Sequence, residues 1–243
     1  MAQKDLLRGQ TALVTGASKL GGIGAAIARC YAEHGANLIL TARSESGLKE
    51  VAQHSEEAGA GGWVRTISSD MESVSSIDSL AKSVLEEHEG VDILVLNAGT
   101  SLGGGDILKG DPCGWESTVN INLIAPMRLT RLLTPHMKEK GKGALVFTGS
   151  LAGVRPTKTA AYGASKHAIR SWAEACYEAL CPYGIRVSIL EPGYVNTPML
   201  KDHPADHSLF IQPQDLAEAA LLPFLLEAAT PLEIVMRLVK PVE

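Results

Sequence analysis

The chain has 243 residues, 45% hydrophobic and 20% charged, enough for one large domain with a well-buried core. Its 22 basic and 27 acidic residues give a net charge of −5, which offers no basic face for nucleic acid and no charged tail. The apolar runs are too short to span a membrane, the first ten residues carry charge where a signal peptide needs apolar residues, and four scattered cysteines (Cys30, Cys113, Cys176, Cys181) fit free thiols in a reducing, cytoplasmic setting.

Short β-rich runs follow one another along the chain at 11–16, 37–42, 63–68, 92–97, 144–149 and 186–191. They are almost continuously apolar, as strands covered on both faces are. Helix-length amphipathic stretches at 23–34, 45–58, 74–89, 114–138 and 160–180 alternate with them, and 233–239 reads as a last strand. This β-α-β-α series predicts an α/β fold: one doubly wound, Rossmann-type parallel sheet of about seven strands, helices on both faces. No linker or repeat divides it, so residues 1–243 are read as one domain. Ligands of such sheets bind beyond the carboxyl ends of the strands.

The first strand runs directly into "TGASKLGGIGAAIARC". Gly16, Gly22 and Gly24 stand where the chain turns from strand to helix, so backbone N–H groups can approach a pyrophosphate at a helix N-terminus. At the end of the second strand, where a ribose-reading acid is expected, the sequence has Arg43. A cation there suits a 2′-phosphate, and Lys19 in the glycine loop adds a second positive charge, which favours NADP over NAD.

"AAYGASKHAI" (160–169) puts Tyr162 and Lys166 one helical turn apart, and Ser150 lies twelve residues before Tyr162. A surface pair of this kind would add only a few tenths of a kcal/mol. Asn122 sits inside a helical stretch, an unfavourable place unless its amide finds a partner. Taken together, T-G-x-x-x-(x-x)-G-x-G, N-A-G at 97–99, the in-helix Asn, the Ser, Y-x-x-x-K, and P-G at 192–193 followed by Thr197 resemble the short-chain dehydrogenase/reductase family, with 3-oxoacyl-carrier-protein reductases as its best-known neighbours. The resemblance runs in unbroken order from residue 8 to about 200.

That resemblance implies an NADP(H)-dependent oxidoreductase acting on a small-molecule carbonyl or secondary alcohol. Tyr162 would be the acid/base, its phenol lowered from about 10 by the Lys166 ammonium. Ser150 would bind the substrate oxygen, Lys166 the nicotinamide ribose, and Asn122 a water linking Lys166 to solvent. The implied cofactor contacts are Gly16, Ser18, Lys19, Gly22, Ile23, Gly24, Arg43, Ser44, Asp70, Met71, Asn97, Ala98, Gly99, Tyr162, Lys166, Pro192, Gly193, Val195 and Thr197. Asp70 would meet the adenine amino group, although helix capping near Val74 is its other reading. Three features depart from the family pattern: a glycine loop longer by about two residues, a Ser-to-Tyr interval shorter by one, and no D-G-G ending. The rival function is a cofactor-binding scaffold without chemistry, against which the intact Ser, Tyr and Lys speak.

Substrate-shaping residues are expected at 101–106, 151–157 and 199–212, with a substrate-side loop near 196–212 in which "KDHPADHS" (201–208) would be a lid over the site. His203 and His207 are four apart, but Pro204 argues against a helical metal pair, and no metal is expected. No nucleic-acid or membrane partner is expected either. A homodimer or homotetramer is expected through helices 114–138 and 160–180, with Leu129, Leu132, Ile169 and Trp172 as exposed apolar contacts.

Overall fold

A computed structural model describes residues 5–240; the first four and last three residues of the expected domain lie outside the described residues. The strands are β1 (Thr11–Thr15), β2 (Asn37–Ala42), β3 (Val64–Ser68), β4 (Ile93–Leu96), β5 (Gly143–Thr148), β6 (Ile185–Pro192) and β7 (Glu233–Met236). All pair in parallel, in the order β3-β2-β1-β4-β5-β6-β7. The chain works outward from β1 to β3, then returns to β4 and works outward the other way. The reversal leaves a crevice beyond the carboxyl ends of β1 and β4, where such sheets bind ligands.

Strand alternation explains why the central runs are nearly continuously apolar. Val14, Leu38, Leu40, Val95 and Val146 pack with one layer of helices, while Leu13, Ile39, Leu94, Leu145 and Phe147 pack with the other. Successive side chains point to opposite faces, and both faces are covered. Each fully buried aliphatic side chain is worth about 1.5–3 kcal/mol.

The helices are α1 (Ile23–Glu33), α2 (Glu45–Ala58), α3 (Val74–His88), α4 (Pro112–Val119), α5 (Ala125–Lys140), α6 (Ala160–Leu180), α7 (Pro213–Ala219) and α8 (Leu222–Leu225). The expected single helix over 114–138 is therefore α4 and α5 joined by a π-helical turn, Asn120–Ile124. It begins two residues early because Asp111 caps it, accepting from the Cys113 and Gly114 amides at 3.1 Å each. It stops at Gly141, whose φ of 65° ends the helix in the left-handed region. Sequence patterning missed α7 and α8, and β7 is shorter than the expected 233–239.

Two of the four apolar residues expected on a dimer face are core residues instead. Leu129 is 1% exposed and Ile169 is 2% exposed, both packed against the sheet with Leu145 and Phe147. Leu132 and Trp172 are half-buried. The apolar stripes of α5 and α6 face inward, as amphipathic helices on a sheet must. Among the described residues, no helix is long and apolar enough to cross a membrane, and the four cysteines are free thiols.

Candidate active site

β1 delivers Gly16 at its carboxyl end with φ at 69°. A Cβ on Gly16 would stand 2.8 Å from Ala98 Cα; on Gly24 it would stand 2.6 Å from Asn97 Nδ2 and 2.7 Å from the Gly16 carbonyl. The turn is closed so tightly that only glycine fits. The two extra residues form an outward β-turn, with the Gly22 amide bonded to the Lys19 carbonyl at 2.9 Å and Gly21 left-handed at φ 76°. Lys19, Leu20 and Gly21 are exposed on it, and Ser18 is half-buried beneath. α1 then begins at Ile23 with Gly22 as its cap, no side chain capping its first amides and no acid in its first turn. Such a helix end is built to receive an anion.

Arg43 is exposed just past β2. Ser44 caps α2, its Oγ accepting from Gly47 at 3.2 Å, so the predicted cofactor residue also has a structural duty. Asp70 is not a helix cap. Ser73 caps α3, while Asp70 Oδ1 accepts from the Glu72 amide at 3.0 Å in the turn before it. Met71 beside it is 7% exposed and belongs to the core.

Asn97 ties three strand ends together. Its Nδ2 donates to the Thr15 carbonyl at 2.9 Å, its Oδ1 accepts from Thr148 Oγ1 at 3.2 Å, and its amide donates to Thr15 Oγ1 at 2.9 Å. The Ala98 amide shares that hydroxyl at 3.0 Å. The brace needs Thr15 and Thr148 as well as Asn97, and neither threonine was foreseen.

Ser150 follows β5 and caps a single 3-10 turn, Leu151–Gly153, with its Oγ accepting from Ala152 at 3.1 Å. α6 brings Tyr162 and Lys166 to the same place. Lys166 is 4% exposed; its Nζ donates to the Thr148 carbonyl at 2.7 Å and lies 5.6 Å from the centroid of the Tyr162 ring. Asn122 sits in the π-helical turn, where its Nδ2 donates to the Thr100 carbonyl at 2.9 Å and to Ser165 Oγ at 3.0 Å, and its Oδ1 accepts from the Thr100 amide at 2.8 Å. The partners required of an in-helix Asn are thus present. A Cβ on Gly99 would be 3.4 Å from Asn122 Oδ1 and 3.7 Å from Lys166 Nζ, so Gly99 lies against both.

Burial pushes the Tyr162 phenol above its ordinary 10; the Ser150 side chain, hydrogen-bonded to it, pulls it down, and the Glu191 carboxylate pushes it up. The direction is opposite to the lowered phenol expected from the Lys166 pairing, because desolvation outweighs the favourable contacts. Burial likewise brings Lys166 down to about 8, with Glu191 acting in the opposite sense. On the far wall, Pro192 ends β6, and Gly193 donates to the Met236 carbonyl at 2.9 Å. Val195 bridges to Ile211 and Thr197 leads into a 3-10 turn at Pro198–Leu200. Beyond them, His207 Nε2 and the His203 carbonyl are 3.0 Å apart, and both rings pack on Phe210.

The glycine turn, the Asn97 brace and the Ser150, Tyr162 and Lys166 cluster therefore share one end of one sheet. The family model for short chain dehydrogenases matches residues 10–208, spanning all of these elements. The chain belongs to the short-chain dehydrogenase family. As a short-chain dehydrogenase it is an oxidoreductase. The ketoacyl reductase HetN of Nostoc is 35% identical over 191 residues, 78% of this chain and 65% of that one. A metagenomic short-chain oxidoreductase solved with NADP is 34% identical with a TM-score of 0.83, over 97% of this short-chain dehydrogenase and all of the other chain. A Brucella melitensis 3-ketoacyl-(acyl-carrier-protein) reductase solved with NADH is 28% identical with a TM-score of 0.82, over 95% and 97% of the two chains.

Proposed function

We propose that this short-chain dehydrogenase reduces a small-molecule carbonyl to a secondary alcohol with NADPH, Tyr162 giving the proton. The observation that carries the proposal is the convergence of Ser150, Tyr162 and Lys166 at the strand ends beside the uncapped, glycine-lined start of α1. The glycine turn suits a pyrophosphate, since the first amides of α1 have no side-chain cap and Gly22 at its start carries no side chain to keep an anion away. Ser18, Gly22, Ile23 and Ser44 line that turn and the neighbouring helix start. Arg43 and Lys19 would take the 2′-phosphate, Asp70 the adenine, Asn97, Ala98 and Gly99 the adenine ribose, and Pro192, Gly193, Val195 and Thr197 the carboxamide.

The carbonyl carbon takes its hydride from NADPH when that cofactor is bound; the chain's own residues handle the oxygen and the proton. Ser150 Oγ donates to the carbonyl oxygen and orients it. A phenol raised by burial is fully protonated at neutral pH, which suits a proton donor better than a base. As negative charge develops on the oxygen, Tyr162 gives up its proton, and the Lys166 ammonium stabilises the phenolate left behind. Asn122 holds the backbone around Thr100 and α6 through Ser165, which fixes the floor beneath Lys166.

The test is NADPH consumption against a panel of ketones and 3-oxoacyl thioesters, with Tyr162→Phe alongside. Phe keeps the ring packing and deletes the proton donor. General acid–base help is worth roughly 10²–10⁴-fold, so turnover on any accepted substrate should fall at least that far, while NADPH binding stays near the parent's. A Phe variant that turns over normally would end the proposal.

A further inference from the structure

After the buried pair Ile189 and Leu190, β6 places Glu191, with no exposed surface, at the floor of the site. Glu191 Oε2 accepts the Ser150 backbone N–H, and its Oε1 has no hydrogen-bond partner among the described residues. Gly149 makes room for the carboxyl: a Cβ there would be 2.5 Å from its Cδ and 2.7 Å from its Oε1. A buried acid weakens a fold unless its charge is compensated, so the groups around it matter. From α6 it faces Tyr162, Lys166 and Arg170, and from β7 it faces Glu233. Arg170 is shared, its Nε bonded to Glu233 Oε1 at 2.6 Å and its Nη2 3.7 Å from Glu174. Lys166 has only the neutral Thr148 carbonyl as its hydrogen-bond acceptor. Glu191 is therefore the anion best placed to balance it.

We propose that Glu191 is a positioning residue for the reaction: it seats the Ser150 backbone and supplies the buried negative charge that keeps Lys166 an ammonium beside Tyr162. This rests on the proposed reductase mechanism. The electrostatics agree in direction. Burial pushes Glu191 up to about 7, while the Ser150 amide, Lys166 and Arg170 pull it down and Glu233 pushes it up. In its ionised form it raises both Lys166 and Tyr162. Carbonyl reduction needs Lys166 charged and Tyr162 protonated, so one anion supports both requirements as the pH rises.

Glu191→Gln keeps the shape and an acceptor for Ser150 but removes the charge. The alkaline limb of kcat/KM for carbonyl reduction should move to lower pH by roughly one pH unit, because both groups lose their protons earlier. Glu191→Met, similar in volume and also uncharged, should move the limb the same way and covers the case of a Gln variant that fails to fold. A limb that stays at the parent's position in a folded, active variant overturns the proposal, even if kcat falls, since a merely structural role would lower kcat without moving it. Tyr162→Phe separates the two readings. Normal turnover in that variant overturns the mechanism itself; an inactive Phe variant with an unmoved limb in Glu191→Gln overturns the role of Glu191 alone.

Discussion

Arg43 stands just past the end of β2, where an acid would accept hydrogen bonds from an unmodified ribose. Its guanidinium can only donate, so it matches a 2′-phosphate and has nothing to offer a 2′-hydroxyl except as acceptor of its N–H. Charge-assisted hydrogen bonds of this kind are worth roughly 10- to 100-fold in affinity. NADPH should accordingly bind more tightly than NADH by about that factor. Arg43→Asp should shrink or reverse the ratio by rejecting the phosphate and accepting from the ribose. Titration of both nicotinamides against both proteins, by fluorescence or calorimetry, checks this; equal affinities in the parent would refute it.

The β1–α1 turn shows how an element is specified by what it excludes. Its backbone passes so close to the Asn97 side chain and its own Gly16 carbonyl that a methyl group at Gly24 has no place. Gly24→Ala should cost about 1–3 kcal/mol through overpacking and weaken NADPH binding with it, because the displaced groups are the brace and the cradle. Thermal unfolding and cofactor titration read the two effects; an unchanged melting temperature would contradict the close approach. Much of this was legible in the sequence. Strands β1 to β6 could be read to within a residue, since burial on both faces makes the central ones nearly continuous apolar runs, and Tyr162, Lys166 and Ser150 stood out through the motifs that carry the family resemblance. Other features were not legible, for identifiable reasons. Thr15 and Thr148 act on Asn97 from 82 and 51 positions away, which no local pattern reveals. The π-helical turn at 120–124 leaves the apolar rhythm of α4 and α5 intact, and α7 and α8 are too short to display a period. Glu191 did leave a signal, an acid directly after the apolar pair Ile189 and Leu190 near the end of a strand.

At the scale of the molecule, two residues expected on a dimer face turn out to belong to the core. Leu129 and Ile169 are consumed by the core, so a partner seated on α6 would meet what that helix leaves outside. That face carries Ala164, His167, Ser171 and Ala175, all exposed and spaced for one side of the helix. Beside it lies a concavity of about 850 Å³ lined by Ile107, Pro156, Ala160, Gly163, Ala164 and His167, in which Ile107 is 77% exposed. Small side chains let two helices approach closely, and a surface that meets its own copy closes on a two-fold axis.

We therefore expect a homodimer through α6, and Ala164→Arg provides its test. Ala164 is exposed, so Arg there has room in the single chain and should leave circular dichroism and melting unchanged at low concentration. In a two-fold contact the substitution acts twice, bringing two bulky cations to one seam, where like charges and lost packing oppose association. Light scattering at micromolar concentration should give a dimer mass, or a multiple of it, for the parent and a monomer mass for the variant. A parent that scatters as a monomer would refute the assembly. A variant that stays dimeric would move the seam elsewhere and leave the exposed α6 stripe to solvent.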